Sequence, residues 1–340
     1  MSNAIGADMG TYNIVMCRRT AENEFSYKRE VNAFLQMPLE NRFVFNMMKN
    51  AGVPLIEQPE ANLAYALGES AVNMAYTMNQ IELKRPMKDG CLNPKERYAQ
   101  QIMNVMCHSL IGEVDQDGTP LYYSVPANAI NQETDADYHA KVLEAMFKSY
   151  KSEKGYTVDP HPINEALALV YAELSNKAWT GVGISFGAGM VNLCYAMYGA
   201  PIFQFSIVNS GDWIDKMASK ALGEETTTYV NKEKIHADLT VQNPESLVQR
   251  AIKSQYEIMI QHTVSGIKKG VEEAGNKARS EQPIDIVVAG GTSMPKGFDV
   301  LFRKILEQSK ISMKIGEVIR PSDPLYSVAR GCLIAAENAK

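Results

Sequence analysis

Long apolar runs are absent. No stretch of the 340 residues approaches the roughly 18–20 apolar residues that cross a bilayer, and Met1-Ser2-Asn3-Ala4 does not open a basic-then-apolar secretory signal. Membrane insertion is therefore not expected, and a cytoplasmic setting is. Positive charge is not in excess either: 34 Lys and Arg stand against 39 Asp and Glu, a formal net charge of −5. That balance offers no basic footprint for a DNA or RNA backbone and excludes nucleic acid as the default direct partner. Cysteines are few, odd in number and far apart (Cys17, Cys91, Cys107, Cys194, Cys332), and His108, His139, His161, His236 and His262 are as scattered. A disulfide framework and a zinc site of ordinary spacing are thereby excluded. Internal repeats and low-complexity tracts are missing, which argues against a solenoid. What is present is ordinary globular material, 45% hydrophobic and 21% charged. The length fits about two domains at roughly 100–200 residues each, and the 18 methionines read as adaptable core filler.

The apolar pattern predicts its elements in a recurring order. Residues 5–16 read as strand, turn and returning strand, interrupted by Asp8-Met9-Gly10-Thr11. Residues 121–125 form a short strand, residues 135–150 a helix, and residues 163–174 a second helix behind Pro160 and Pro162. Residues 182–197 repeat the strand–turn–strand unit around Gly187-Ala188-Gly189, and a helix follows Gly211-Asp212. Asn243-Pro244-Glu245 is expected to open a long, largely buried helix reaching Val271. Ile284–Ala289 is a strand leading into Gly290-Gly291-Thr292-Ser293 and a helix from about residue 295 to 306. A strand, a glycine turn and a helix N-terminus together suit a phosphate or nucleotide.

Each glycine turn is a weak signal alone, because most tight turns bind nothing. In order and spacing, however, Asp8-Met9-Gly10-Thr11, Gly187-Ala188-Gly189 and Ala289-Gly290-Gly291-Thr292 resemble the actin-like ATPase superfamily. The resemblance narrows toward bacterial actins of the MreB, MamK and ParM type. It does so through Arg85-Pro86-Met87-Lys88-Asp89-Gly90, Glu165-Ala166-Leu167-Ala168, Ser210-Gly211-Asp212 with Asp215, Lys232-Glu233-Lys234, Asp323-Pro324-Leu325 and Ala329-Arg330-Gly331.

The fold this implies is α/β: two domains, each a mixed β-sheet flanked by helices, with nucleotide in the cleft between them. Domain I would comprise residues 1–165 plus 321–340, with a small subdomain at about 34–84. Domain II would comprise 166–320, with a small subdomain at about 219–282. Two facing hairpin tips would offer backbone N–H groups to the phosphates of ATP or GTP, from Gly10, Thr11 and Tyr12 on one side and Ser185, Gly187, Ala188 and Gly189 on the other. Asp8 would hold Mg²⁺ through water, and Glu165 would orient the attacking water as the catalytic carboxylate beside it. Gly211, Asp212, Lys232, Glu233, Gly290, Gly291, Thr292 and Ser293 would line the nucleoside side, with Thr292 and Ser293 also capping the following helix.

One departure from the family pattern matters. Where these proteins carry an Asp and a Thr in the second loop, this chain has Ser185 and Met190. Nucleotide binding with slow or altered hydrolysis is the expectation. The resemblance implies a filament that adds copies of itself head to tail, with an adaptor protein as a possible further partner. A non-filamentous nucleotide-binding scaffold is the alternative, with a small-molecule kinase behind it. A chaperone, which would need an appended substrate domain after the closing helix at 325–337, is not expected. The acidic turn at 112–118 and the lack of an amphipathic helix before Ile5 fit a filament that stays off anionic lipid.

Overall fold

The computed structural model describes residues 3–39, 42–77, 83–223 and 225–339. Met1, Ser2 and Lys340, which open and close the expected first domain, and residues 40–41 and 78–82 of its small subdomain lie outside the described residues, as does Glu224.

The chain opens with an antiparallel meander, β1 (Ile5–Met9), β2 (Asn13–Arg19) and β3 (Phe25–Val31). A small sheet follows, built from β4 (Phe34–Pro38), β5 (Leu55–Gln58) and β6 (Leu63–Leu67) with helices α1 (Arg42–Asn50) and α2 (Gly68–Thr77). A short hairpin, β7 (Met87–Lys88) and β8 (Cys91–Leu92), carries Asp89 and Gly90 at its tip. Then come α3 (Ala99–Ile111), β9 (Thr119–Val125), α4 (Ala136–Lys148) and β10 (Val158–Asn164). The strands β9 and β10 lie parallel to β1 and complete a sheet of order β10-β9-β1-β2-β3.

Helix α5 (Glu165–Glu173) carries the chain to a second sheet. There β11 (Gly181–Phe186), β12 (Val191–Met197) and β13 (Ala200–Ile207) form another antiparallel meander. Three helices follow, α6 (Gly211–Ala221), α7 (Thr227–Ile235) and α8 (Leu247–Ala274). Strand β14 (Ile284–Ala289), helix α9 (Phe298–Gln308) and strand β15 (Ile315–Ile319) give the order β13-β12-β11-β14-β15, and α10 (Ser327–Asn338) returns to the first sheet.

Each sheet has its own core. Helices cover both faces of β1 and β11, so their residues are apolar with little alternation, as strands buried on both sides must be. Phe186, Phe298 and Phe302 pack together beneath the second glycine turn, with Phe186 edge-on to Phe298 at 4.8 Å between ring centres; burying one such ring contributes roughly 1.5–3 kcal/mol. The sheets are joined where α5 and α10 cross. A Cβ on Gly331 would sit 1.7 Å from the Ala168 carbonyl oxygen, so only glycine lets these two backbones touch. Residues 128–131 of the first half also reach the edge of the second sheet, with Ile130 N donating to Ser206 O at 2.9 Å and Ser206 N to Asn128 O at 3.2 Å.

Four expectations need correction. Residues 158–164 are a strand, and helix α5 begins at Glu165 instead of Ile163. Because β10 is an edge strand, the two prolines, spaced two apart, direct their missing N–H sites to the same unpaired side and cost it no ladder bond. Helix α8 starts at Leu247, behind Ser246, four residues after the expected Asn243 cap, and it buries one face only, with Leu247 exposed. Helix α9 starts at Phe298 behind Gly297, whose φ of 76° is left-handed, leaving a short 3-10 turn after Gly290. Helix α10 runs from Ser327 to Asn338, two residues later at its start than 325–337.

Candidate functional site

The three glycine turns meet. One cavity of about 460 Å³ between the two sheets is lined by Asp8, Gly10, Thr11 and Tyr12 from the first turn, Ser185 and residues 187–190 from the second, and Gly290, Gly291 and Thr292 from the third. Glu165, Gly211 and Asp212 line it as well. The first two turns face each other at close range: a Cβ on Gly189 would lie 2.4 Å from Thr11 Oγ1 and 2.6 Å from Gly90 N. The third is tied to the second through the Gly187 carbonyl. That oxygen accepts from Ser210 Oγ at 2.5 Å, Thr292 Oγ1 at 2.6 Å and Gly211 N at 3.2 Å. Thr292 therefore fastens turn to turn, and Ser293, whose Oγ donates to Gly290 O at 2.8 Å, braces its own turn. Neither caps α9, and Ser293 does not line the cavity.

Two carboxylates sit at the floor. Asp8 is the penultimate residue of β1, where Ser124 Oγ donates to its Oδ1 at 3.1 Å while accepting from Met9 N at 2.9 Å. Glu165 is the first residue of α5 because Asn164 caps the helix, its Oδ1 accepting from Ala166 N at 3.0 Å and Leu167 N at 3.1 Å. Asn192 Nδ2 donates to Glu165 Oε2 at 2.7 Å, and Ser206 Oγ donates to Asn192 Oδ1. Burial pushes the Asp8 carboxyl well above the usual carboxylate range. Burial and then the neighbouring Asp8 charge do the same to Glu165, with the Ser185 hydroxyl pulling the other way. Among the described residues no Lys, Arg or His forms an ion pair with either. A buried, unpaired acid pair fits a hard divalent cation, which would supply the missing positive charge while keeping part of its own water shell.

The nucleoside side departs from expectation. Lys232 and Glu233 do not line the cavity; α7 presents Asn231, Lys234 and Ile235 to it instead, one helical face at i, i+3 and i+4. Lys234 is buried, its Nζ 2.7 Å from Asp215 Oδ1 and donating to Gly211 O at 3.1 Å, and Asn231 Nδ2 donates to Asp215 Oδ2 at 2.8 Å. Asp212 lines the rim but is held by Arg85 Nη1, which contacts both its carboxylate oxygens at 2.8 Å. Sequence reasoning missed Asn192, Asn231, Ser124 and the buried role of Lys234. A polar residue in the otherwise apolar β12, opposite Ser185 in register, was the available signal for Asn192.

In sequence, the family described as Volactin matches residues 3–336. The chain belongs to the Volactin family. No curated protein matches it in sequence. Among solved structures, this Volactin-family chain is similar to a MamK double helical filament, at 17% identity and a TM-score of 0.71, covering 98% of each chain. It is similar to MreB 5 of Spiroplasma citri bound to AMPPNP, at 15% identity and a TM-score of 0.67, covering 98% of this chain and 96% of that one. A non-polymerising MamK mutant bound to AMPPNP gives 16% identity and a TM-score of 0.59, with 98% of each chain covered. At such identities the likeness concerns the fold, which is the actin-like two-domain fold. Among the described residues no helix is long and apolar enough to cross a membrane.

Proposed function

We propose that the chain is a cytoplasmic actin-like protein that binds Mg–ATP in the cleft between its sheets and polymerises head to tail, hydrolysing slowly. The single observation that carries this is the convergence of two hairpin tips and a buried acid pair on one cavity. In that reading the domains divide as residues 1–165 plus 321–340 and 166–320, with small subdomains at about 34–84 and 219–282. Gly10, Thr11 and Tyr12 face Gly187, Ala188 and Gly189 across the polyphosphate, whose charge suits backbone N–H groups at turn tips. Asp8 would hold Mg²⁺ through water, and the ion would supply positive charge against the phosphates. Glu165, steadied by Asn192, accepts a hydrogen bond from the attacking water. Asn231 and Lys234 take the nucleoside-side role that the sequence assigned to Lys232 and Glu233. Adenine is favoured over guanine by the AMPPNP of the MreB 5 and MamK neighbours, and self-assembly by the MamK filament.

Slow turnover follows from Ser185. Its hydroxyl interacts with Glu165 and brings no charge to the metal. Losing one such group removes roughly 10²–10³ in rate while backbone phosphate contacts remain. The same residue favours the second reading, a scaffold in which nucleotide clamps the domains without turnover. Sedimentation and negative-stain imaging with ATP, ADP, GTP or AMPPNP, alongside phosphate release, separate them. Filaments that depend on ATP support the proposal, and a monomer that binds ATP without assembling supports the scaffold. Protein that neither binds nor assembles with any nucleotide would overturn both.

A further inference from the structure

The segment that leads into the β7–β8 hairpin grips the opposite half of the molecule at two points. Arg85, two residues before β7, reaches Asp212 on α6 with two contacts of 2.8 Å, and its guanidinium lies 4.9 Å from the ring centre of Tyr12 in the first turn. At the hairpin tip, a Cβ on Gly90 would meet Met190 Sδ at 2.5 Å. Asp212 does not move alone: its N–H donates to Ala188 O at 2.8 Å, so wherever Asp212 is held, the second turn is held too. The pair thus fastens the second turn above the first. Parting the two turns therefore separates Arg85 from Asp212.

We infer that Arg85 is a positioning residue of the nucleotide site, acting through Asp212 as a latch across the cleft that sets how fast nucleotide departs. This rests on the nucleotide-binding reading above. Both side chains are part-exposed, at 27% and 37% of their full area, so the pair is weakened by salt, unlike a sealed interior contact. It also neutralises a carboxylate that would otherwise face the triphosphate at the rim. Removing Arg85 therefore has two consequences, faster departure and slower arrival. Removing the Asp212 charge has only the first, because the α6 N-terminus then meets the anion without a carboxylate beside it.

Stopped-flow kinetics with N-methylanthraniloyl-ATP and Mg²⁺ test this on the full chain. For Arg85→Met and Asp212→Asn the off-rate rises about tenfold, and the double variant leaves no faster than either alone, because both remove one interaction. Arg85→Lys retains most of the slow release. The on-rate falls in Arg85→Met and does not fall in Asp212→Asn, and raising salt speeds release from the wild type more than from either variant. Wild-type protein that takes up no labelled nucleotide overturns the function proposed above. Wild-type protein that binds, with off-rates unchanged or additive in the variants, overturns the latch alone.

Discussion

The two large sheets are built alike and finished differently. In each, a three-stranded antiparallel meander is extended by two parallel strands on the side of its first strand: β1-β2-β3 by β9 and β10, and β11-β12-β13 by β14 and β15. In each, the first hairpin of the meander ends in a glycine turn pointed into the shared cleft. The first turn keeps an acid, Asp8, and a hydroxyl, Thr11. The second has Ser185 on its strand and Met190 at its exit, and contributes backbone and packing. Topology thus supplies two equivalent turns at the cleft, while the chemistry on them is unequal. A fold repeated in one chain fixes where groups stand without fixing what they do.

That inequality can be broken or sharpened experimentally. The largest effect is expected from Asp8→Asn, which removes the one carboxylate that the two turns bring to the cavity. Phosphate release is expected to fall by about 10²–10³ while ATP still binds, measured by coupled phosphate assay and by fluorescence titration. Equal turnover in wild type and variant would make the two turns chemically equivalent after all.

The cores differ as well. The first half buries His139 completely against β8, where burial lowers its imidazole to about 4 and Nδ1 accepts from Leu92 N at 3.3 Å. A histidine depressed below its unfolded value near 6.5 is neutral in the fold while the unfolded chain takes up protons. His139's own contribution to stability is therefore full above pH 6.5 and is lost as pH falls toward 4, by about 2 kcal/mol at pH 5, while the raised Asp8 and Glu165 carboxyls work in the opposite direction. Urea unfolding of wild type and of His139→Phe at pH 7 and pH 5 measures this: between the two pH values the wild type is expected to lose about 2 kcal/mol relative to the variant. An unchanged slope would show that other groups govern it.

Ser185→Asp should make the two turns more alike. Turnover with Mg²⁺ rises, by about tenfold. Without metal the variant melts at lower temperature than wild type, because a third acid joins Asp8 and Glu165 in a buried space, and Mg²⁺ with nucleotide recovers part of the loss. Scanning fluorimetry and phosphate release report both arms. The smallest effect belongs to packing. Gly189→Ala pushes a methyl toward Thr11 and Gly90, across the cleft, and should weaken nucleotide affinity several-fold. Gly187→Ala meets only Met190 of its own turn and should cost less, as calorimetry would show.

How far the sequence could be read follows the range of the interactions involved. The hairpin turns were legible because glycine, strand pattern and spacing are local, and the cap that fixes Glu165 sits beside it at Asn164. The strand with Pro160 and Pro162 was not, since an edge position is a property of the sheet and prolines otherwise speak against a strand. Asn243-Pro244 looked like a helix start on local grounds, yet α8 begins where its apolar face first meets the second sheet's core. Within a single motif the lining was not legible: Lys232 and Glu233 were chosen by resemblance, whereas the face of α7 turned to the cleft carries Asn231 and Lys234. Contacts joining distant segments, such as Arg85 with Asp212 and Glu165 with Asn192, leave no mark in spacing at all.

The most direct test is a density map of the chain with AMPPNP and Mg²⁺. The account predicts a triphosphate between Gly10-Thr11 and Gly187-Ala188-Gly189, with metal-bound water on Asp8. Nucleotide density elsewhere on the surface, with this cavity holding only solvent, would contradict it.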